Sequence, residues 1–169
     1  MLPLAESLAQ HGLRPVLLEM PAHGRSAGTS SNLPQFARAI DYAVGRLQQE
    51  GYEIGVLAGH SLGANAAAYA ASRGLAIGKL VLLAPPASPR NYTRYFAEVF
   101  GLSEATRAAM QRRIEAREGV LMQHFEPRFV AARIRVPTLV VHDRGDAINA
   151  FADGQALSLI HISEPTRPY

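Results

Sequence analysis

Two rhythms of apolar residues alternate along the chain of 169 residues. Leu4, Ala5, Leu8 and Ala9 fall on one face of a helix, and Gly12 would stop it. Phe36, Ile40, Ala43, Val44 and Leu47 repeat the three-and-four spacing as far as Gly51. Between such stripes lie short runs that are apolar throughout, at residues 15–20, 54–58, 79–84 and 136–142. Runs of this length, bounded by Gly and Pro, read as buried strands. Residues 64–72 are nearly all small, which predicts a helix that must pack closely. Residues 21–32, rich in Gly, Ser, Thr and Pro, form a loop. From 88 to 133 the pattern is helical and more charged. It carries Tyr92, Tyr95, Phe96, Phe100, Phe125 and Phe129, most of them expected as ordinary helical core.

Strands without polar alternation, interleaved with helices, predict an α/β fold. Its mostly parallel sheet of about four strands is flanked by helices and covered on both faces. Right-handed crossovers bring the carboxyl ends of all strands to one edge, where open α/β sheets bind ligands. Three polar loops leave that edge: residues 23–26, His60-Ser61, and 143–146.

Composition narrows the chemistry. The chain is 48% hydrophobic and 18% charged, a globular balance. With no cysteine, disulfides, thiolate metal sites and a thiol nucleophile are excluded. The net charge is only +3, and the arginines are scattered over helix faces, not gathered into a basic stripe with aromatics, so nucleic acid is not an expected partner. No apolar run approaches the roughly 20 residues of a membrane span. Residues 1–7 lack the basic and apolar regions of a signal peptide, and a cytoplasmic location is expected. No pair of His has metal-ligand spacing and no glycine-rich phosphate loop appears, so neither metal nor cofactor is expected.

The chemistry-bearing motif is Gly59-His60-Ser61-Leu62-Gly63, between an apolar strand and an alanine-rich helix. Glycines two residues either side of a serine suit a tight strand-to-helix turn that exposes the hydroxyl as a nucleophile. The same turn aims the Leu62 N–H, at the helix N-terminus, toward a developing oxyanion. A serine nucleophile needs a base, and the base needs an orienting carboxylate. Asp146, just beyond the strand at 136–142, is the candidate, with Asp143 as competitor. His60 belongs to the turn; His23, His142, His11 and His124 carry no expected catalytic role.

Taken together, these features resemble the α/β-hydrolase family, in particular its esterase, lipase and lysophospholipase-like members. Residues 19–26, Glu-Met-Pro-Ala-His-Gly-Arg-Ser, are similar to the family's Asp-x-Pro-Gly-x-Gly-x-Ser loop. Residues 59–63 match its nucleophile turn, and residues 135–146 its acid strand, with His142 where Gly is usual. The resemblance implies a core at 1–87 and 134–156 and a helical cap insertion at 88–133. It implies a fragment truncated at both ends. A strand expected between those at residues 16 and 56 would precede Met1, together with the loop bearing the second oxyanion donor. The catalytic His would follow one more helix and strand than fit before His161, which lies 15 residues past Asp146. Residues 157–169 resemble an in-frame translation of a sequencing adapter and are expected to be a non-native tail.

The implied activity is hydrolysis of an ester-like or other acyl bond in a small-molecule substrate through an acyl-enzyme, with little activity in this chain itself. The alternatives are a non-catalytic binding module on the same fold, or another enzyme of that fold such as a haloperoxidase, thioesterase or C–C hydrolase. Oligomeric state is left open.

Overall fold

A computed structural model describes residues 2–86 and 88–158 of the chain. The elements run α1 (Leu2–Gln10), α2 (Leu33–Gln49), β1 (Val56–His60), α3 (Leu62–Ser72), β2 (Lys79–Leu83), α4 (Pro89–Val99), α5 (Glu104–Glu118), a 3-10 turn (Met122–Phe125), α6 (Pro127–Ala131), β3 (Thr138–Val141) and α7 (Phe151–Ser158). The fold is of the α/β class: among the described residues, three parallel strands in the order β1-β2-β3, flanked by helices.

Local signals account for the helix ends. Asn32 caps α2 by accepting from the Gln35 N–H, Pro34 occupies its first turn, and Gly51 leaves it at φ +85°. Ser103 caps α5 by accepting from the Thr106 N–H, and Gly119 ends it in the left-handed region. The α2 stripe is buried as its spacing requires, with Phe36, Ala37, Ile40 and Val44 facing α3 and the core. Alanines 64, 66, 67, 68 and 70 of α3 are closed off from solvent, so that helix lies tight on the sheet. Leu80 and Leu82 of the central strand are wholly buried beneath it.

The expected strand at residues 15–20 does not form. It has no partner strand among the described residues, and an unpaired run is not a sheet member. Val16, Leu17 and Leu18 are exposed, Val16 at 61%, while Met20 packs against the core. Among the described residues the sheet therefore has three strands instead of four. The second face is also less covered than the apolar pattern predicts: Val56, Leu139 and Val141 are exposed, Leu139 at 57%. The boundary expected at Ala156 cuts through α7, and Leu157 is buried in the core. The remainder of the expected non-native tail, residues 159–169, lies outside the described residues.

Between β2 and β3 the chain is helical, as the pattern indicates. The 3-10 turn and α6 return to the core through Phe125, Val130 and Ala131. Glu118, at the end of α5, accepts from Asn32 Nδ2 and from Arg38 of α2, both at 2.6 Å, tying that segment to the helix before β1. No helix among the described residues is long and apolar enough to cross a membrane.

Leu82→Ala is expected to cost about 2–5 kcal/mol, because it opens a cavity where the sheet meets α3. Val16→Ser is expected to stay within about 0.5 kcal/mol, as at other exposed positions. Urea unfolding of the two variants measures the contrast, and equal costs would show that residues 15–20 are packed.

Candidate active site

The site forms where the three strands end. Parallel pairing runs past β1, because the Ser61 N–H donates to the Leu83 carbonyl at 2.9 Å. In the same way the Ala84 N–H donates to the Val141 carbonyl at 2.8 Å. Both residues then turn through left-handed backbone, Ser61 at φ +52° and Ala84 at φ +44°. Side chains rarely adopt that region, and such conformations collect at functional sites. Ser61 caps α3 and its carbonyl accepts the first helical N–H, from Ala64, at 2.8 Å. Leu62 is the first residue of that helix.

The two glycines of the motif are not equivalent. A Cβ on Gly59 would stand 2.7 Å from the Gly63 carbonyl carbon and 2.8 Å from Ala64 Cα, inside backbone that cannot yield. A Cβ on Gly63 meets nothing. The close approach of α3 to β1 thus needs a bare position before the serine and not after it.

Asp146 lies in the turn after β3. Its Oδ1 accepts from the N–H groups of Ile148 at 2.8 Å and Asn149 at 2.9 Å. These bonds, Asn149 first, hold its carboxyl below the ordinary value of 3.8; burial opposes them, and His142 and His60 help. The competitor Asp143 is exposed and bonds only the Gly145 N–H of its own turn, at 2.9 Å.

Sequence reasoning missed Asn149, which joins the parts. It is only 4% exposed. Its Nδ2 donates to Ser61 Oγ at 3.4 Å and to the Ala84 carbonyl at 3.2 Å, and its Oδ1 accepts from the Tyr92 hydroxyl at 2.9 Å. Its carbonyl accepts from His142 Nε2 at 2.8 Å. The signal was its place three residues past Asp146, the spacing at which a side-chain carboxylate reaches a backbone N–H. His142 is buried with its Nε2 3.8 Å from Asp146 Oδ2, and its Nδ1 has no hydrogen-bond partner. His60 ends β1, and His23 packs edge-on against Phe36 in the loop before α2. Among the described residues no imidazole nitrogen hydrogen-bonds Ser61 Oγ, and no group of His, Asp and Glu is arranged to hold a metal.

Beside the serine, a cavity of about 180 Å3 runs under the helical segment, lined by Leu33, Leu62, Tyr92, Ile114, Met122 and Phe125. Burial raises the Tyr92 hydroxyl above its ordinary value, with Asp153 and Asp146 adding to it.

A model of the alpha/beta hydrolase family matches residues 1–166. The chain is similar in structure to a hydrolase from Pseudomonas aeruginosa PA01, at 20% identity and a TM-score of 0.55 over 83% of this chain and 65% of that one. It is similar to the monoacylglycerol lipase of Paleococcus ferrophilus at 22% identity and 0.57, over 83% and 66%. It is similar to NosK from Streptomyces actuosus at 27% identity and 0.55, over 92% and 75%. The chain thus spans slightly less than two thirds of the first two structures. No curated protein matches it in sequence.

Gly59→Ala is expected to cost more than about 2 kcal/mol by overpacking, while Gly63→Ala stays within about 1 kcal/mol, because alanine is the better helix former. Thermal unfolding of both variants tests the asymmetry. The lowered carboxyl of Asp146 gives a second expectation. A group whose folded value is depressed stabilises the fold above its ordinary value, and that contribution is lost as pH falls through the folded value. Asp146→Asn should therefore lower the urea midpoint at pH 7, and the gap to the unsubstituted chain should close as pH drops below 3.8. A gap independent of pH would mean the carboxylate is not held by these bonds.

Proposed function

The chain belongs to the alpha/beta hydrolase family, and from that premise we propose that its site is that of a serine hydrolase acting by acyl transfer on an ester-like bond. Ser61 Oγ attacks the carbonyl carbon. The Leu62 N–H, at the positive end of α3, stabilises the oxyanion. Asp146 orients the imidazole that takes the Ser61 proton and returns it to the leaving group. The observation that carries this reading is the backbone of Ser61, held at φ +52° between β1 and α3. A binding module has no use for strain at a hydroxyl, whereas a nucleophile is exposed by it.

The proton acceptor is a histidine outside the described residues. Within them Ser61 Oγ is met by the Asn149 amide, a donor that cannot take a proton at neutral pH. General-base assistance contributes about 10²–10⁴ in rate, so the 169-residue chain should hydrolyse p-nitrophenyl acetate slowly. Added imidazole can take the proton in place of a histidine. The expected result is an imidazole-dependent increment in the unsubstituted chain that vanishes in Ser61→Ala. Identical imidazole dependence in the two proteins would remove Ser61 as the nucleophile. Fast hydrolysis without imidazole, lost in Ser61→Ala, would show that a base is already present.

A further inference from the structure

The helix α4 is turned inside out. Tyr92, Tyr95, Phe96, Val99 and Phe100 recur at the three-and-four spacing that in α2 marks the buried face. Here all five are exposed, Tyr95 at 66%, Phe96 at 44% and Phe100 at 63%. The Phe96 and Phe100 rings lie against each other with centroids 4.5 Å apart. The buried face of α4 consists of Thr93 and Ala97, and Thr93 Oγ1 accepts from the Arg107 guanidinium of α5 at 3.0 Å. The expectation that most of these aromatics are helical core is thereby overturned for α4. A contiguous exposed aromatic face marks a docking site.

Charge identifies what docks. Residues 88–133 hold eight Arg against five Glu, an excess equal to the +3 of the whole chain, so the remainder is neutral. Arg90 and Arg94 lie on the side of α4 away from the aromatic stripe, and Glu98 is its one acidic residue. Aromatic on one face and basic on the other is the arrangement of a helix that lies in the plane of a lipid surface. A second copy of the chain would bring a like-charged segment against this one, which is unfavourable. Tyr92 also links the stripe to the site: it lines the apolar cavity and hydrogen-bonds Asn149, which reaches Ser61.

We propose that α4 docks on an anionic lipid surface through Tyr95, Phe96, Val99 and Phe100, with the arginines of residues 88–133 drawn to the acidic headgroups. The proposal goes beyond the acyl-transfer reading and does not need Ser61 to react. The test is flotation of the 169-residue chain with vesicles of phosphatidylglycerol or of phosphatidylcholine. The chain is expected to partition onto phosphatidylglycerol at least about tenfold more strongly than onto phosphatidylcholine, and less so as salt is raised. The triple variant Tyr95→Ser, Phe96→Ser and Phe100→Ser should lose that partition and keep its circular dichroism and melting temperature, since all three side chains are exposed. Ser61→Ala should bind vesicles as the unsubstituted chain does, which separates this proposal from the catalytic one. Failure to bind phosphatidylglycerol, or undiminished binding by the triple variant, overturns it. So does sedimentation as a dimer that the triple variant abolishes, which would make a second copy the occupant.

Discussion

The approach of α3 to the end of β1 governs the rest of the molecule. A five-residue strand turns into a helix within one residue, and the helix lies so close that Gly59 has no room for a single carbon. Alanines carry that proximity along α3, each one bringing the helix axis nearer Leu80 and Leu82 of the central strand. Packing at this density tolerates little change in volume. In consequence, Ser61 is held at the helix N-terminus, where its hydroxyl meets the Asn149 amide. Position, exposure and electrostatic environment of the serine are therefore consequences of one helix–sheet contact.

The carboxylate arrives by a separate route. β3 is linked to β1 only through β2, and the hydrogen bonds from Ser61 to Leu83 and from Ala84 to Val141 carry the register across all three strand ends. Asp146 is then fixed by its own turn, in which two backbone N–H groups face Oδ1. Asn149 closes the circuit, with one amide spanning the serine, the end of β2 and a tyrosine of α4. All of its polar atoms are engaged, as a side chain buried this deeply requires.

Much of this was legible in the residues. The α2 stripe, the alanine helix and the apolar strands at β1, β2 and β3 are one-dimensional signals, because their periodicity reports a buried face directly. The Gly-x-Ser-x-Gly motif is equally local. What the pattern could not convey was partnership. Residues 15–20 have the composition of a buried strand, yet strand formation depends on a neighbour's backbone, and side-chain pattern is silent about whether a neighbour is there. Asn149 was invisible for the same reason: its five partners come from four separate stretches of chain, and one asparagine in a loop carries no period. Gly63 misled in the opposite direction. The motif pairs it with Gly59, but only the residue before the turn faces backbone.

The helix α4 makes the limit of periodic reasoning sharper. Its spacing of aromatics is as regular as that of the α2 stripe, and the same rule assigns both to a core. The rule detects only that one side of a helix is apolar; it presumes that the nearest apolar phase is the protein's own interior. On α2 the presumption holds, because the opposite face is polar and α3 offers alanines to pack against. On α4 the side toward α5 is already taken by Thr93, held by Arg107, and by Ala97. Two small residues allow a close helix contact and leave no space for a ring. An amphipathic helix whose small face is inward and whose aromatic face is outward has its apolar partner elsewhere, and the basic excess of the surrounding segment argues that this partner is anionic.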